Sequence, residues 1–299
     1  MLPIGATLPS QVNESIKQFV GLFKLRIGIV ISFTALAGLA VTPGIGLSAW
    51  QIIVLAVAVL VSSAAAGAFN QYVEQDIDSK MTRTQQRPFV TGTLRHTSAW
   101  LWLIGAMVAG SVAAAWFVLN PMSALYVFLG AFFYAIVYTV WLKRRTWMNI
   151  VIGGLAGSFA VLAGAAAAAP ALSPEAIILA LVLFLWTPPH FWSLAITYRR
   201  DYAAAKVPML PVLIGDLRCA RVILAHTGLL VATSLLLAYY RLGWIYLIGA
   251  LSGGLYFLVK SIQLVRNPSR ANALANFHAS LAQLSLLLTA AILDAAFSA

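Results

Sequence analysis

Residues 70–78 carry three oxygen-bearing side chains at helical spacing. The stretch reads NQYVEQDID and follows directly on the apolar run QIIVLAVAVLVSSAAAGAF. Asn70, Glu74 and Asp78 are four residues apart, so in a helix they lie on one face, in a column about 12 Å long. Carboxylate and amide oxygens are ligands of hard cations such as Mg2+, which often keeps substrate phosphates as further ligands. The spacing therefore predicts a site for a Mg2+-bound diphosphate.

Three basic residues, Lys80, Arg83 and Arg87, follow the acids in the same polar segment. Acids at the C-terminal end of a helix face the negative pole of its dipole, so we expect cations nearby. These bases either neutralise the acids directly or contact the far oxygens of a diphosphate. A simpler alternative is a helix end at the aqueous interface, where the bases only anchor the flank. Asp76 lies about 200° around the helix from Glu74 and is the weaker candidate ligand.

A second polar stretch, residues 186–216, reads WTPPHFWSLAITYRRDYAAAKVPMLPVLIGD. Pro188 and Pro189 predict a break or kink in an apolar helix, which frees backbone carbonyls that must face protein or a polar cavity. His190 follows the prolines, and its simplest role is a hydrogen bond to a freed carbonyl. The stretch therefore predicts a polar interruption at membrane depth.

Charged residues follow this interruption at the end of the same predicted helix. If Asp201 and Lys206 approach the first column, they supply a further metal ligand and a phosphate-binding cation. Arg200 is another candidate for the diphosphate, although together with Arg199 it is most simply an interface anchor.

The composition requires a membrane protein. The chain has 299 residues, of which 62% are hydrophobic and 9% charged, so no soluble fold could bury its apolar surface. A membrane-spanning helix takes about 20 apolar residues, which predicts an all-α polytopic bundle of nine transmembrane helices. The predicted segments are 26–43, 51–75, 97–118, 122–142, 148–168, 174–197, 220–239, 242–264 and 276–297. The single cysteine, Cys219, cannot form an intramolecular disulfide.

The distribution of basic residues orients this bundle. With nine helices, the N-terminus and the connections after helices 2, 4, 6 and 8 fall on one side, and of the 19 basic residues only Arg241 falls on the other. The positive-inside tendency makes the basic side cytoplasmic, with the N-terminus inside and the C-terminus outside. The net charge of +11 is then explained by topology, so we expect no nucleic acid partner. Two basic-side loops, 76–96 and 198–219, are longer than topology requires and should hold the polar chemistry.

The two polar stretches resemble signatures of the UbiA-type intramembrane prenyltransferases. The family's first motif, an Asn and two acids each four residues apart, is matched by Asn70, Glu74 and Asp78. The runs D-x-x-M-x-R-T-x-x-R-P and TPPHFW…Y-x-x-D-Y-x-x-A-x-x-P-M-L-P-V are similar to the branch that acts on haem rather than to the quinone or chlorophyll branches. The KLR at 24–26 resembles the family's usual KPR entry to helix 1. Two departures are Glu74, where the family more often has Asp, and a second loop with one acid, Asp201.

The resemblance covers nearly the whole chain and implies one prenyltransferase domain, residues 1–299. The implied reaction transfers a farnesyl group from farnesyl diphosphate to the 2-vinyl group of protohaem IX (haem b), with water addition, to give haem O; the implied cofactor is Mg2+. The implied catalytic residues are Asn70, Glu74, Asp78, Asp201 and Lys206, of which the first four are also the metal ligands. The implied diphosphate-binding residues are Lys80, Arg83, Arg87 and Arg200. His190 becomes a candidate axial ligand of haem iron, since imidazole suits it.

The same resemblance implies a location and partners. We expect a bacterial inner-membrane protein with its active site facing the cytoplasm, taking both lipid-soluble substrates from the bilayer. Haem A synthase or terminal oxidase assembly would receive the product. Prenylation of an aromatic quinone precursor is the alternative within the enzyme class. A cation or proton transporter is the rival from another class, but its charges should lie near the bilayer midplane. A non-catalytic haem-delivery subunit would not need the acidic column.

Overall fold

The computed structural model describes residues 18–240 and 242–297, and within these ranges the chain is helical and contains no strand. Eight helices are long and apolar enough to cross a membrane, and a ninth apolar helix has 17 residues. In chain order they are α1 Leu25–Val41, α2 Ala49–Val73, α3 Ala99–Val118, α4 Pro121–Leu142, α5 Asn149–Ala168, α6 Pro174–Thr197, α7 Asp216–Tyr240, α8 Trp244–Arg266 and α9 Arg270–Phe297. The predicted helical bundle is confirmed, with boundaries that move by a few residues. Lys17 and Arg241, used in the charge count, lie outside the described residues.

Two connections contain short helices of their own. The connection between α2 and α3 holds Gln75–Asp78 and Pro88–Thr91, and the connection between α6 and α7 holds Arg199–Ala204 and Leu210–Ile214. These are the two long loops singled out from the sequence. Both lie at the same end of the bundle, because Thr82 in the first donates a 3.2 Å hydrogen bond to Asp201 in the second.

Helix α4 changes its winding halfway along. Its second half, Phe133–Leu142, is a π-helix, and the Lys143 amide accordingly bonds the carbonyl of Tyr138, five residues earlier. The Thr139 hydroxyl donates to the Tyr134 carbonyl at 2.9 Å across the same wide turn. Wide turns of this kind recur at functional sites. Tyr134 and Tyr138 of this π-helix, and Lys143 directly after it, line a cavity inside the bundle.

Small residues let α1 and α5 approach closely. A Cβ added at Gly164 would lie 1.8 Å from the Ala35 carbonyl oxygen, and one at Gly38 would lie 2.1 Å from that of Val161. Membrane helices without a hydrophobic driving force between them associate through such small-residue contacts. The pairing holds α1, and with it Lys24 at its N-terminal end, against the centre of the bundle.

The proline pair does not interrupt α6. One helix runs from Pro174 to Thr197 through Pro188 and Pro189, so the break that the sequence allowed at this point is wrong. Side-chain hydroxyls bond backbone carbonyls on both sides of the prolines, from Thr187 to Leu183 at 2.9 Å and from Ser193 to Pro189 at 2.6 Å. The helix thereby carries His190 into the bundle interior instead of ending before it.

Candidate active site

A cavity of about 520 Å³ lies among α1, α2, α4, α5, α6 and α9. Apolar side chains and glycines form most of its wall, while its polar lining includes Asn70 of α2 and His190 of α6. Five basic side chains also line it, namely Lys24, Arg26, Arg83, Arg87 and Lys143. The cavity therefore joins a basic end, beside the acidic column, to an apolar chamber within the bundle.

The predicted column is present, although α2 ends at Glu74, in the middle of it. Glu74 ends α2 with φ −96° and ψ 17°, and a separate short helix follows. The i to i+4 hydrogen bonds nevertheless continue, since the Glu74 amide donates to the Asn70 carbonyl at 3.1 Å and the Asp78 amide donates to the Glu74 carbonyl at 2.8 Å. All three side chains are buried. The spacing thus does place two carboxyls and an amide along one side of the chain.

Each buried acid of the column has a base of its own. Lys143 Nζ lies 2.5 Å from Glu74 Oε2, and Arg87 Nη1 lies 2.6 Å from Asp78 Oδ2. The ion pairs explain how two carboxylates tolerate burial, because a buried charge is stable only when it is paired. Arg87 was predicted to compensate the acids, and it does so directly. Lys143 was counted only as a topology marker at the end of helix 4.

Asn70 is also held by neighbouring side chains, one directly before α1 and one on α4. Its Oδ1 accepts a 2.8 Å hydrogen bond from Lys24 Nζ, and its Nδ2 donates to Thr139 Oγ1 at 3.1 Å. Lys24 also donates to the Tyr134 hydroxyl at 2.7 Å. The only signal in the sequence that pointed to Lys24 was its place in the KLR segment at the start of helix 1.

Four buried carboxylate oxygens have no hydrogen-bond partner among the described residues, and two of them, Glu74 Oε1 and Asp201 Oδ2, belong to predicted metal ligands; the other two belong to Glu175 and Asp216. A buried acceptor left unpaired is costly unless another group uses it. Oxygens of this kind suit Mg2+, so the residues fit the predicted cofactor. Across residues 18–240 and 242–297, however, no three acid, histidine or cysteine side chains form one cluster that could hold a metal ion. The four predicted ligands are therefore not drawn together as one set, because each bonds to its own neighbour.

The remaining predicted site residues divide by exposure. Arg83 lines the cavity, although its side chain is open to solvent. Lys80, Arg200 and Lys206 are exposed and do not line it. Lys206 has a left-handed backbone with φ 55°, at the end of the turn that follows the short helix Arg199–Ala204. The contribution of these three bases to the site stays a prediction.

Asp76 points away from the column, as its angular position predicted. It forms a bidentate pair with Arg144 at 2.7 Å for both contacts, and both side chains are largely exposed. The hydrogen bonds from the Arg144 guanidinium hold the pKa of the Asp76 carboxyl below its usual value. This surface pair ties the end of α4 to the short helix Gln75–Asp78.

His190 is enclosed by aromatic rings and one hydroxyl. Its ring stacks on Trp186 with centroids 4.1 Å apart and on Phe277 with centroids 4.4 Å apart. Its Nδ1 lies 2.7 Å from Ser280 Oγ, a side chain of α9. The proposed bond to a freed backbone carbonyl is therefore wrong, because a serine hydroxyl takes that place.

The hydroxyl of Ser280 determines which imidazole nitrogen carries the proton. Ser280 Oγ donates its single hydrogen to the Phe277 carbonyl at 2.6 Å, so towards His190 it can only accept. Nδ1 of the neutral imidazole must then carry the proton, which leaves the lone pair on Nε2. No described residue bonds Nε2, and His190 lines the cavity. This is the arrangement by which proteins orient a histidine that binds a metal.

Tyr198 joins three segments at the cavity entrance. The Arg83 guanidinium lies 5.8 Å from the centre of its ring, and that of Arg270, at the start of α9, lies 5.7 Å from it. The quadrupole of an aromatic ring attracts a guanidinium, so Tyr198 is placed to hold both side chains. We name this group, Arg83, Tyr198 and Arg270, the cation–π clasp. No sequence pattern indicates the clasp, because its members are far apart along the chain.

Arg83 is a predicted diphosphate-binding residue, so loss of the clasp should change the KM for a prenyl diphosphate. Replacing Tyr198 by Leu should release Arg83 and raise KM for a prenyl diphosphate by about fivefold to tenfold, the range expected for a partly exposed cation–π contact. Replacing it by Phe keeps the aromatic face and should leave KM within about twofold of wild type. Steady-state kinetics with varied diphosphate concentration measures both variants. An equal rise in the Phe and Leu variants would contradict the role of the ring.

The two basic residues that directly follow α4, Lys143 and Arg144, should differ sharply in their effect on stability. Replacing Lys143 by Met leaves Glu74 buried without a partner and should lower the free energy of unfolding by about 3–5 kcal/mol. Replacing Arg144 by Met removes only an exposed pair and should cost less than about 1 kcal/mol. Unfolding of the purified variants in detergent tests the contrast. Similar losses in both would mean that the Lys143–Glu74 pair is not a buried ion pair.

The chain matches the model of the UbiA prenyltransferase family over residues 31–287. It is 56% identical over 283 residues to protoheme IX farnesyltransferase 2 of Paramagnetospirillum magneticum, covering 95% of this chain and 98% of that protein. It is 45% identical to protoheme IX farnesyltransferase 1 of the same organism, covering 93% and 98%. A protoheme IX farnesyltransferase of Hahella chejuensis is 38% identical, covering 93% of each chain.

Solved structures share the fold. A digeranylgeranylglyceryl phosphate synthase superposes with a TM-score of 0.76 at 18% identity, covering 94% of this chain and 99% of that one. A UbiA homologue from Archaeoglobus fulgidus, bound to DMAPP and Mg2+, superposes with a TM-score of 0.65 at 16% identity, covering 90% and 99%. The sequence and fold comparisons agree, and the chain belongs to the UbiA prenyltransferase family, where its sequence groups with the protoheme IX farnesyltransferases.

Proposed function

We propose that this chain transfers a farnesyl group from farnesyl diphosphate to the 2-vinyl group of haem b, with addition of water, to form haem O. The observation that carries the proposal is a buried acid–base column whose Asn70, Arg87 and Lys143 line an apolar cavity, together with a histidine whose Nε2 has no partner among the described residues. The column suits a diphosphate and the histidine suits haem iron. The names of the most similar relatives point to the same pair of substrates.

The polar end of the cavity would bind Mg2+ and the diphosphate. Glu74 and Asp201 would offer their unpaired oxygens to the metal, and Asp78 and Asn70 would join them by exchanging their bonds to Arg87 and Lys24. Bound Mg2+ supplies positive charge that favours the departure of diphosphate. Arg87 and Lys143 already lie beside the two carboxylates, so the leaving group would meet two cations that need no long movement. Arg83 would contact a further phosphate oxygen, with Lys80, Arg200 and Lys206 approaching from the loops.

The chemical step needs a cation to survive briefly in a dry chamber. The bond between the allylic carbon and the diphosphate oxygen breaks, with its electron pair leaving on the diphosphate. The vinyl group of haem then donates its π electrons to the allylic carbon, and water adds to the new cation and loses a proton. The apolar walls delay the entry of water. Tyr134 and Tyr138, with ring centroids 5.8 Å apart, line the cavity and would contribute the electron-rich surroundings that a carbocation needs.

The apolar chamber would receive the porphyrin beside His190. We propose Nε2 as an axial ligand of the iron, with Ser280 fixing the imidazole through its Nδ1 proton. Trp186 and Phe277 hold the ring between them and prevent it from turning away. The porphyrin and the farnesyl chain are both lipid-soluble, which explains why such a reaction suits a protein built in the bilayer.

The chain is a multi-pass membrane protein, and we propose an orientation for it in a bacterial inner membrane. The basic end, with both long loops and the acidic column, would face the cytoplasm together with the N-terminus. Residues 1–299 would form one domain. Haem A synthase or terminal oxidase assembly would take up the product.

A two-acceptor assay tests the proposal against its rivals. Membranes with the overexpressed protein receive radiolabelled farnesyl diphosphate, Mg2+, and either haem b or 4-hydroxybenzoate, an aromatic quinone precursor. We expect label only in the porphyrin fraction. Label in the aromatic fraction would move the chain to the quinone branch. No transfer to either acceptor by protein that binds the diphosphate would reject farnesyl transfer and reopen the transporter alternative.

A further inference from the structure

A second space lies beside the main cavity, on the lipid-facing side of the bundle. This groove of about 650 Å³ is formed by α2, α3 and α4. Its lining contains no charged side chain and includes the exposed aromatic residues Trp116, Phe117 and Phe128. The proposed chemistry at the acidic column does not use it.

The groove and the cavity share part of one wall. Ala66 of α2 and Ala131 of α4 line both spaces, and both are buried with side chains of a single methyl group. Ala66 lies one helical turn, about 6 Å, before Asn70 on the same face of α2. Phe69, next to Asn70 in sequence, also lines the groove. The shared wall is therefore close to the diphosphate end.

The main cavity is small for the two substrates that must meet in it. Its volume of about 520 Å³ lies within the range of about 300–1,000 Å³ that usually holds one drug-sized ligand. The proposed reaction needs a porphyrin and a prenyl chain at the same time. With the porphyrin beside His190 on α6, the wall formed by α2 and α4 is the one next to Asn70, where the chain starts.

We infer that the groove between α2, α3 and α4 holds the far end of the prenyl chain of the donor, which reaches it past Ala66 and Ala131. The inference rests on the proposed farnesyl transfer and adds the place where chain length is sensed. The first isoprene unit lies in the cavity at the column, and the last lies in the groove against Phe128 and Phe132. A donor too short to cross the wall makes no contact with the groove.

Two glycines of α3 provide a variant and a matched control. Gly105 lines the groove and Gly110 does not, and a Cβ added at either meets nothing within 4 Å. Phe at position 105 should fill the groove without disturbing helix packing. Phe at position 110 adds the same side chain to the same helix but leaves the groove open.

The test compares farnesyl with geranyl diphosphate, whose chain is one isoprene unit shorter, with haem b as acceptor. Gly105→Phe should lower kcat/KM for the farnesyl donor by about tenfold relative to the geranyl donor, as expected for a pocket that loses apolar contacts. Gly110→Phe should keep the wild-type ratio. A wild-type ratio in folded Gly105→Phe would mean that the groove holds only bilayer lipid and would overturn the inference alone. Absence of product from the wild type with both donors would overturn farnesyl transfer and this route together.

Discussion

Replacing Glu74 by Gln is expected to lower kcat for farnesyl transfer by about a thousandfold, the scale of losing one preorganised charge at the leaving group. The same result is expected for Asp78→Asn. Each change keeps the shape of the side chain but removes the negative charge that would hold Mg2+ and orient Lys143 or Arg87. Product formation by purified protein in nanodiscs, at saturating farnesyl diphosphate and haem b, measures the loss.

Two controls separate catalysis from folding in this experiment. Asp76→Asn changes an exposed acid in the same short segment, outside the column, and should keep kcat within about twofold of wild type. Glu74→Asp keeps a carboxylate and introduces the residue that the family more often has at this position. It should keep most of the activity that Glu74→Gln loses. Activity near that of wild type in Glu74→Gln, or equal losses in Asp76→Asn, would contradict the diphosphate site.

Replacing His190 by Ala is expected to weaken haem b binding by at least about a hundredfold and to leave farnesyl diphosphate binding unchanged. The imidazole is buried and fixed by Ser280, and its Nε2 has no partner among the described residues. The residues proposed to bind the diphosphate are different ones, at the basic end of the cavity. Optical titration with haem b, read at the Soret band, measures the first affinity. A competition assay with labelled farnesyl diphosphate measures the second.

Two further variants show whether the nitrogen or the ring is responsible. His190→Phe keeps an aromatic ring between Trp186 and Phe277 but has no ligand atom, so it should bind haem as poorly as the Ala variant. His226→Ala removes a histidine of α7 whose Nδ1 bonds a carbonyl of its own helix and which does not line the cavity. Its haem affinity should equal that of wild type. Haem binding restored in His190→Phe would assign His190 a packing role only.

The sequence predicted the features that depend on neighbouring residues along the chain. The bundle of apolar helices follows from hydropathy over segments of membrane length, and the column follows from a spacing of four residues. Asp76 was placed away from the column by the same periodicity, and the structure agrees. Such features need no knowledge of how the helices pack.

The sequence missed the features that depend on packing between distant segments. Lys143 and Glu74 are 69 positions apart, and nothing in either local pattern singles out one base among the three that end helix 4. The π-helix that brings Lys143 into the cavity is also hidden, because its apolar residues read as ordinary helix. The hydrogen bond between Thr82 and Asp201 joins residues 119 positions apart, so no local pattern indicates it either.

The mass of the product shows whether the chain converts haem b to haem O. Purified wild-type protein is incubated with haem b, farnesyl diphosphate and Mg2+ in H2(18)O. The porphyrins are then separated, and their masses are measured by mass spectrometry. Farnesyl transfer with water addition predicts a product that is heavier than haem b by one farnesyl group and one water, and the oxygen of that water is the heavy isotope. This product should not form in the presence of EDTA or with the Glu74→Gln variant. Unchanged haem b from protein that binds both substrates would contradict the account.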